Sequence, residues 1–168
     1  PCPCGQSGSN TKQCVCSQGA LMRYKRKISG PIVDRIDLWL EVPQVEHEKL
    51  ADDGVSSESS EIIQKRVIKA RAIQGKRFSA EGESVSGGKP KILTNSEMGV
   101  RELKKFAALS DDVKNILGKA AKQFDLSGRA YHRVIKLART IADLAGEEDI
   151  LEEHILEALQ YRPKQNDQ

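Results

Sequence analysis

A chain with one strand-like stretch cannot build a sheet of its own. In these 168 residues the one good candidate is Ile36-Asp37-Leu38-Trp39-Leu40-Glu41-Val42, which alternates at strand spacing and stops at Pro43. A lone strand needs a sheet to join. The predicted fold class is therefore mainly α: a truncated α/β edge over 1–43, a hinge over 44–60, a helical bundle over 61–163 and a short tail over 164–168. Composition agrees, because aromatics are only 4% of the chain and charged residues 30%, with Leu, Ile, Val and Ala supplying most of the apolar content. No apolar run approaches the roughly 20 residues needed to span a bilayer. Pro1-Cys2-Pro3-Cys4-Gly5 is neither an initiator Met nor a signal peptide, so the chain reads as a piece of a longer cytoplasmic protein.

Capping residues and apolar spacing outline the helices. One is expected from Ser17 to Ile28, followed by a break at Gly30-Pro31. Residues 51–60 are polar and serine-rich, and lead into a helix from Ser59 to Phe78 with Ile63, Val67 and Ala70 on one face. A Gly/Ser/Pro-rich loop is predicted from Ser79 to Asn95, then a helix over Ser96–Ala107. Ser110 is placed to cap a helix running to Gln123. Ser127 opens another in which Ala130, Val134, Leu137, Ile141 and Leu144 repeat at helical spacing, and Gly146 ends it. Asp149-Ile150-Leu151-Glu152 resembles a capping box for a last helix with Leu151, Ile155, Ala158 and Leu159 inward.

Charge is unevenly distributed. Residues 1–33 hold Lys12, Arg23, Lys25, Arg26 and Lys27 and no acid. A second basic stretch holds Lys65, Arg66, Lys69, Arg71, Lys76 and Arg77, while Asp143 to Glu157 is acidic. Basic stretches suit phosphate partners, ATP or nucleic acid, and the cluster at 23–27 is a candidate contact for DNA or a neighbouring subunit. For the second stretch a solvated helix face is the simpler reading. Gly82 to Lys89 superficially resembles a phosphate-binding loop. Its glycine–lysine spacing is off by one, and Pro90 stands where a magnesium-holding Ser or Thr would be. No apolar strand ends in paired acids, so this stretch of sequence is not expected to hydrolyse ATP by itself.

All four cysteines, Cys2, Cys4, Cys14 and Cys16, fall in the first sixteen residues, as two Cys-x-Cys pairs separated by nine residues. Four thiolates satisfy tetrahedral Zn2+ and would close a loop that has no core of its own. The alternative is four free thiols. His47, His132 and His154 are too dispersed for a catalytic pair and read as structural or exposed.

The most specific run is Ser29-Gly30-Pro31-Ile32-Val33-Asp34-Arg35-Ile36-Asp37. It resembles the SGP-apolar-apolar-DRID signature of magnesium-chelatase-like AAA+ ATPases of the ComM type, in which a run NPCPCG precedes it. The likeness extends through LSGRAYHRVIKLARTIADLAG, Leu126 to Gly146, and weakens between Ser79 and Asn95. The resemblance implies that the chain is the C-terminal part of an ATP- and Mg2+-using ring, with a hexamer expected. It implies that Arg35 is an arginine finger acting on a neighbouring subunit's γ-phosphate, and that Arg129 is the sensor-2 arginine, with Arg133 one turn further on. Read alone, Arg35 would be an ordinary surface partner of Asp34 or Asp37, and Arg129 a solvated arginine. The resemblance further implies a DNA translocase that promotes branch migration in recombination or natural transformation. Two other readings remain open: a magnesium-chelatase motor subunit serving metal insertion into porphyrin, and a zinc-stabilised, non-enzymatic nucleic-acid-binding module.

Overall fold

The computed structural model describes residues 2–8, 12–27, 30–42, 58–79 and 92–163. Among them are seven α-helices, one 3-10 turn and no strand. The chain divides into two compact units, Pro1–Ser57 with Pro163–Gln168, and Glu58–Arg162. The loop lookalike from Gly82 to Lys89, most of the 44–60 hinge and the 164–168 tail lie outside the described residues.

In the first unit, α1 spans Gln18–Lys25 and is capped by Ser17, whose side chain accepts from the Ala20 amide at 3.3 Å. The predicted break at Gly30-Pro31 is instead the start of a one-turn helix, α2, Gly30–Val33. Proline is at home there, because a first-turn amide has no intrahelical partner to lose. The predicted strand over Ile36–Val42 does not form. Its alternation is real, but no neighbouring strand among the described residues takes up its backbone groups.

The second unit is the predicted helical bundle. Its elements are α3 (Ser60–Ser79), a 3-10 turn (Asn95–Glu97), α4 (Val100–Phe106), α5 (Asp111–Gln123), α6 (Gly128–Ala145) and α7 (Glu152–Gln160). The single helix expected over Ser96–Ala107 is split at Met98 and Gly99, and Met98 drops into the core. Ser110 and Ser127 cap α5 and α6 as expected, accepting from the Val113 and Ala130 amides. Gly146 ends α6 in the left-handed region at φ 86°. Between α5 and α6, Asp125 also turns left-handed (φ 46°), and the Leu126 amide reaches back to the Ala121 carbonyl at 2.9 Å. That closure, followed at once by the Ser127 cap, makes the turn tight enough to present Arg129 in the first turn of α6.

α6 is the central element, packing against α7, α3, α4 and the 3-10 turn, while α5 packs on α7. Leu117, Val134, Ala138, Ile155 and Ala158 meet in the core, with Phe78 edge-on to Phe106 at 5.4 Å. The buried stripe of α6 is rotated from the predicted one. Ala130, Val134, Ile135, Ala138, Arg139, Ala142 and Asp143 are buried, whereas Leu144 is exposed. Likewise Ile63 and Val67 of α3 are exposed, and only Ala70, Gln74 and Phe78 enter the core. The predicted capping box of α7 is replaced by another device. Leu151 is the N-cap and is exposed, and its amide donates to Nδ1 of the buried His154 at 3.0 Å.

Candidate functional site

The four cysteines converge. Their Sγ atoms all lie within 4.8 Å of one another, with Cys2–Cys4 at 3.3 Å and Cys4–Cys14 at 3.6 Å. Tetrahedral zinc with Zn–S bonds of about 2.3 Å would hold sulfurs about 3.8 Å apart, so this donor set fits such an ion. The local chain supports the grouping. The Gly5 amide closes a turn onto the Cys2 carbonyl at 3.1 Å, with Gly5 at φ 74°, and the Ser7 amide donates to the Cys2 sulfur at 3.2 Å. An amide aimed at sulfur stabilises a thiolate in the way ligand-orienting hydrogen bonds do around metals. The thiols are free rather than disulfide-bonded.

Crowding separates their acidities. Desolvation raises Cys2, but hydrogen bonds from Cys4 and Ser7 outweigh it and bring the thiol down to about 6. At Cys14 a backbone hydrogen bond from Cys16 favours the thiolate. The neighbouring thiols Cys2 and Cys4 together with desolvation overcome it and push the group up to about 12. Four thiolates in one place need a cation, and the cluster could hold a metal ion.

Arg35 follows α2 and is exposed; its Nη1 donates to the Pro31 carbonyl at 2.8 Å. Arg23, Lys25, Arg26 and Lys27, on and just after α1, are all exposed, with Lys27 Nζ 5.6 Å from the Tyr24 ring centroid. In the second unit Arg129 is exposed in the first turn of α6, at the positive end of the helix dipole. Arg133 lies one turn along the same face and is half-buried. Cys2, Cys4, Cys14, Cys16, Arg35 and the 23–27 cluster thus belong to one unit, and Arg129 and Arg133 to the other.

Sequence reasoning missed a buried charge network in the second unit. Asp143 is 0% exposed and Arg139 2%. Arg77 approaches Asp143 with both terminal nitrogens, one at 2.9 Å, and its Nη1 also donates to Asn95 Oδ1 at 3.1 Å. Asn95 Nδ2 donates to Asp143 Oδ2 at 2.7 Å and to Thr140 Oγ1 at 3.1 Å. Arg139 donates through Nε to Asp143 Oδ1 at 3.1 Å, and its terminal nitrogens reach the carbonyls of Glu147 and Glu148, both at 2.6 Å. Burial lowers the pKa of Arg139, and the nearby Arg77 charge lowers it further, while Asp143 pulls it back up. This ties α3, the 3-10 turn, α6 and the start of the α6–α7 connection to one carboxylate. Arg77 is therefore no solvated face residue. The i, i+4 spacing of Arg139 and Asp143 was the available signal.

Residues 57–162 match the family model described as magnesium chelatase, subunit ChlI C-terminal, and residues 1–50 match magnesium chelatase, subunit ChlI. The chain belongs to the magnesium chelatase ChlI family, of which the helical unit is the C-terminal domain. Among relatives, it is 39% identical over 142 residues to competence protein ComM of Haemophilus influenzae, covering 84% of this chain and 25% of that protein. It is 34% identical over 162 residues to protein YifB of Salmonella typhimurium, covering 96% of this chain and 29% of that one. A Mycobacterium tuberculosis protein, Rv2897c, is 28% identical over 162 residues, 96% of this chain and 30% of its own length. The chain thus spans under a third of the relatives it matches. No helix among the described residues is long and apolar enough to cross a membrane.

Proposed function

We propose that this chain is the arginine-bearing, lid-containing part of a longer ring-forming ATPase that uses ATP and Mg2+ and acts as a DNA translocase. The observation that carries the reading is Arg129, held out in the first turn of α6 by the Asp125 turn and the Ser127 cap. A guanidinium at the positive end of a helix dipole suits a phosphate, and it sits on the helix that organises the whole bundle. Arg35 is the finger offered to a neighbouring subunit. The basic cluster at 23–27 is a contact for DNA or that neighbour. DNA is favoured as the track by the likeness to a protein named for competence. ATP hydrolysis by the full-length protein, followed with and without branched DNA, tests this. Stimulation by DNA is expected; stimulation by a porphyrin acceptor and not by DNA would sink the DNA reading in favour of a chelatase motor.

The cysteine cluster is proposed to hold one structural Zn2+. Metal analysis of the purified chain should return about one zinc per chain. Cys4→Ser/Cys14→Ser is expected to lose the zinc and to expose residues 2–16 to proteolysis, with the melting of the helical unit unchanged. A wild-type chain prepared with zinc present yet free of metal would end the proposal.

A further inference from the structure

The helical unit carries two surfaces of opposite character. A shallow groove of about 350 Å³ runs between α4, α5 and α6, with Leu103, Ala107, Tyr131 and Ile135 on its floor and Lys104 and Lys114 on its rim. Lys114 also lines an adjoining cleft with Lys119 and Lys122, so the basic edge continues along α5. The other surface is the outer face of α7. No lysine or arginine occurs between Thr140 and Tyr161. Glu152, Glu153, Leu156, Glu157 and Gln160 are all exposed there. Leu156 is one turn from both Glu152 and Glu153, so an apolar side chain is framed by carboxylates on one helical face. It is 45% exposed.

We propose that these two surfaces are partners between copies of the chain: the outer face of α7 from one copy lies in the lysine-rimmed groove of the next. This is helix-in-groove recognition, with Leu156 meeting the apolar floor and Glu152 and Glu153 meeting Lys104 and Lys114. A nucleic acid would use the lysines, but it would leave both the apolar floor and the carboxylate-framed leucine without a role. Because the two surfaces differ, the contact is heterologous, and each copy still offers a groove on one side and a helix on the other. Repetition then gives a ring where the rotation closes and a filament where it does not. The inference rests on the ring reading above, for which it locates a contact in the helical unit.

Sedimentation velocity of the chain over a concentration series, without nucleotide, tests it independently of ATPase activity. Wild type should self-associate, less so at high salt. K104E/K114E and E152K/E153K should each weaken association about tenfold or more, and an equimolar mixture of the two should recover it, since the swapped charges meet again. All four side chains are exposed, so each variant should keep the wild-type circular dichroism, with melting lowered by about a few degrees, because K114E gives up the ion pair with Asp111 and E152K/E153K removes the acids from the first turn of α7. A wild-type chain that stays monomeric overturns the proposal, as do reversal variants that associate like wild type or a mixture that fails to recover. Loss of DNA binding by K104E/K114E with self-association unchanged would reassign the groove to nucleic acid.

Discussion

Replacing Arg35 with alanine in the full-length protein is expected to lower ATP turnover by about 10³-fold or more, while ring assembly and nucleotide binding persist. A guanidinium supplied in trans to a transferring phosphoryl group is worth about 10³–10⁵ in rate in GTPase systems, and 10³ corresponds to about 4 kcal/mol of barrier. Arg35 suits that role because it is exposed and follows a short helix that fixes its backbone, and its Nη1 donates to a neutral carbonyl at Pro31. Exchanging a neutral acceptor for a polyanionic phosphate is favourable, since charge-assisted hydrogen bonds are about twice as strong as neutral ones. Lysine at this position should recover little, because a point charge lacks the fork geometry. The decisive assay mixes Arg35→Ala subunits with subunits whose phosphate loop is disabled. Mixed rings should regain activity that neither variant has alone, since one supplies the site and the other the finger. A variant hydrolysing ATP at the wild-type rate would remove Arg35 from the reaction.

Replacing Asp143 with alanine is expected to cost the helical unit about 3–5 kcal/mol, the usual penalty for leaving buried charge uncompensated. The carboxylate serves Arg77, Arg139 and Asn95 together. Removing it leaves the buried Arg139 with the Glu147 and Glu148 carbonyls but without its carboxylate, whereas Arg77, with 14% of its side chain exposed, regains some hydration. Domains of this size are stable by only about 5–15 kcal/mol, so the variant should sit near the edge of folding at ambient temperature. Asp143→Asn keeps the shape and some acceptor capacity and should lie between the two. Urea denaturation followed by circular dichroism measures the differences directly. A loss for Asp143→Ala below about 1 kcal/mol, as for a solvated ion pair, would show that the network contributes little. Replacing Arg139 and Asp143 together by well-packed apolar residues should be far milder than Asp143→Ala, since a pair removed whole leaves no orphan.

Those two residues also explain where the sequence was readable and where it was not. Caps announce themselves locally: Ser17, Ser110 and Ser127 each satisfy an amide three residues on, so the helix starts were legible from residue type and spacing. Gly146 marked the end of α6 because a left-handed turn there excludes most other residues. The inward face of α6 does not follow apolar content alone. A fully partnered Arg139–Asp143 pair can be buried, and it turned the stripe so that Leu144 faces outward. Which charges find partners depends on α3 and the 3-10 turn, up to 66 residues away in sequence. The strand over Ile36–Val42 failed for a related reason, since alternation states a preference that only a neighbouring strand can satisfy. The cysteines were legible as a set because four soft ligands in fifteen residues, Cys2 to Cys16, are few enough to converge without help from the rest of the fold. The roles proposed for Arg35 and Arg129 come from family likeness, because an exposed arginine has the same local signature whatever it touches.

The charge network grips α3 by one end. Ala70, Gln74, Arg77 and Phe78 are anchored in the bundle, while Ile62, Ile63, Val67 and Ile68 stand clear of it. A helix of 20 residues is about 30 Å long. Clamped from Ala70 onward, it behaves as a lever with a free arm of about 15 Å, and a tilt of about 10° at the clamp sweeps the far tip through about 2.6 Å. A small change of angle around Asp143 would thus become, at Ser60, a displacement of about one hydrogen-bond length.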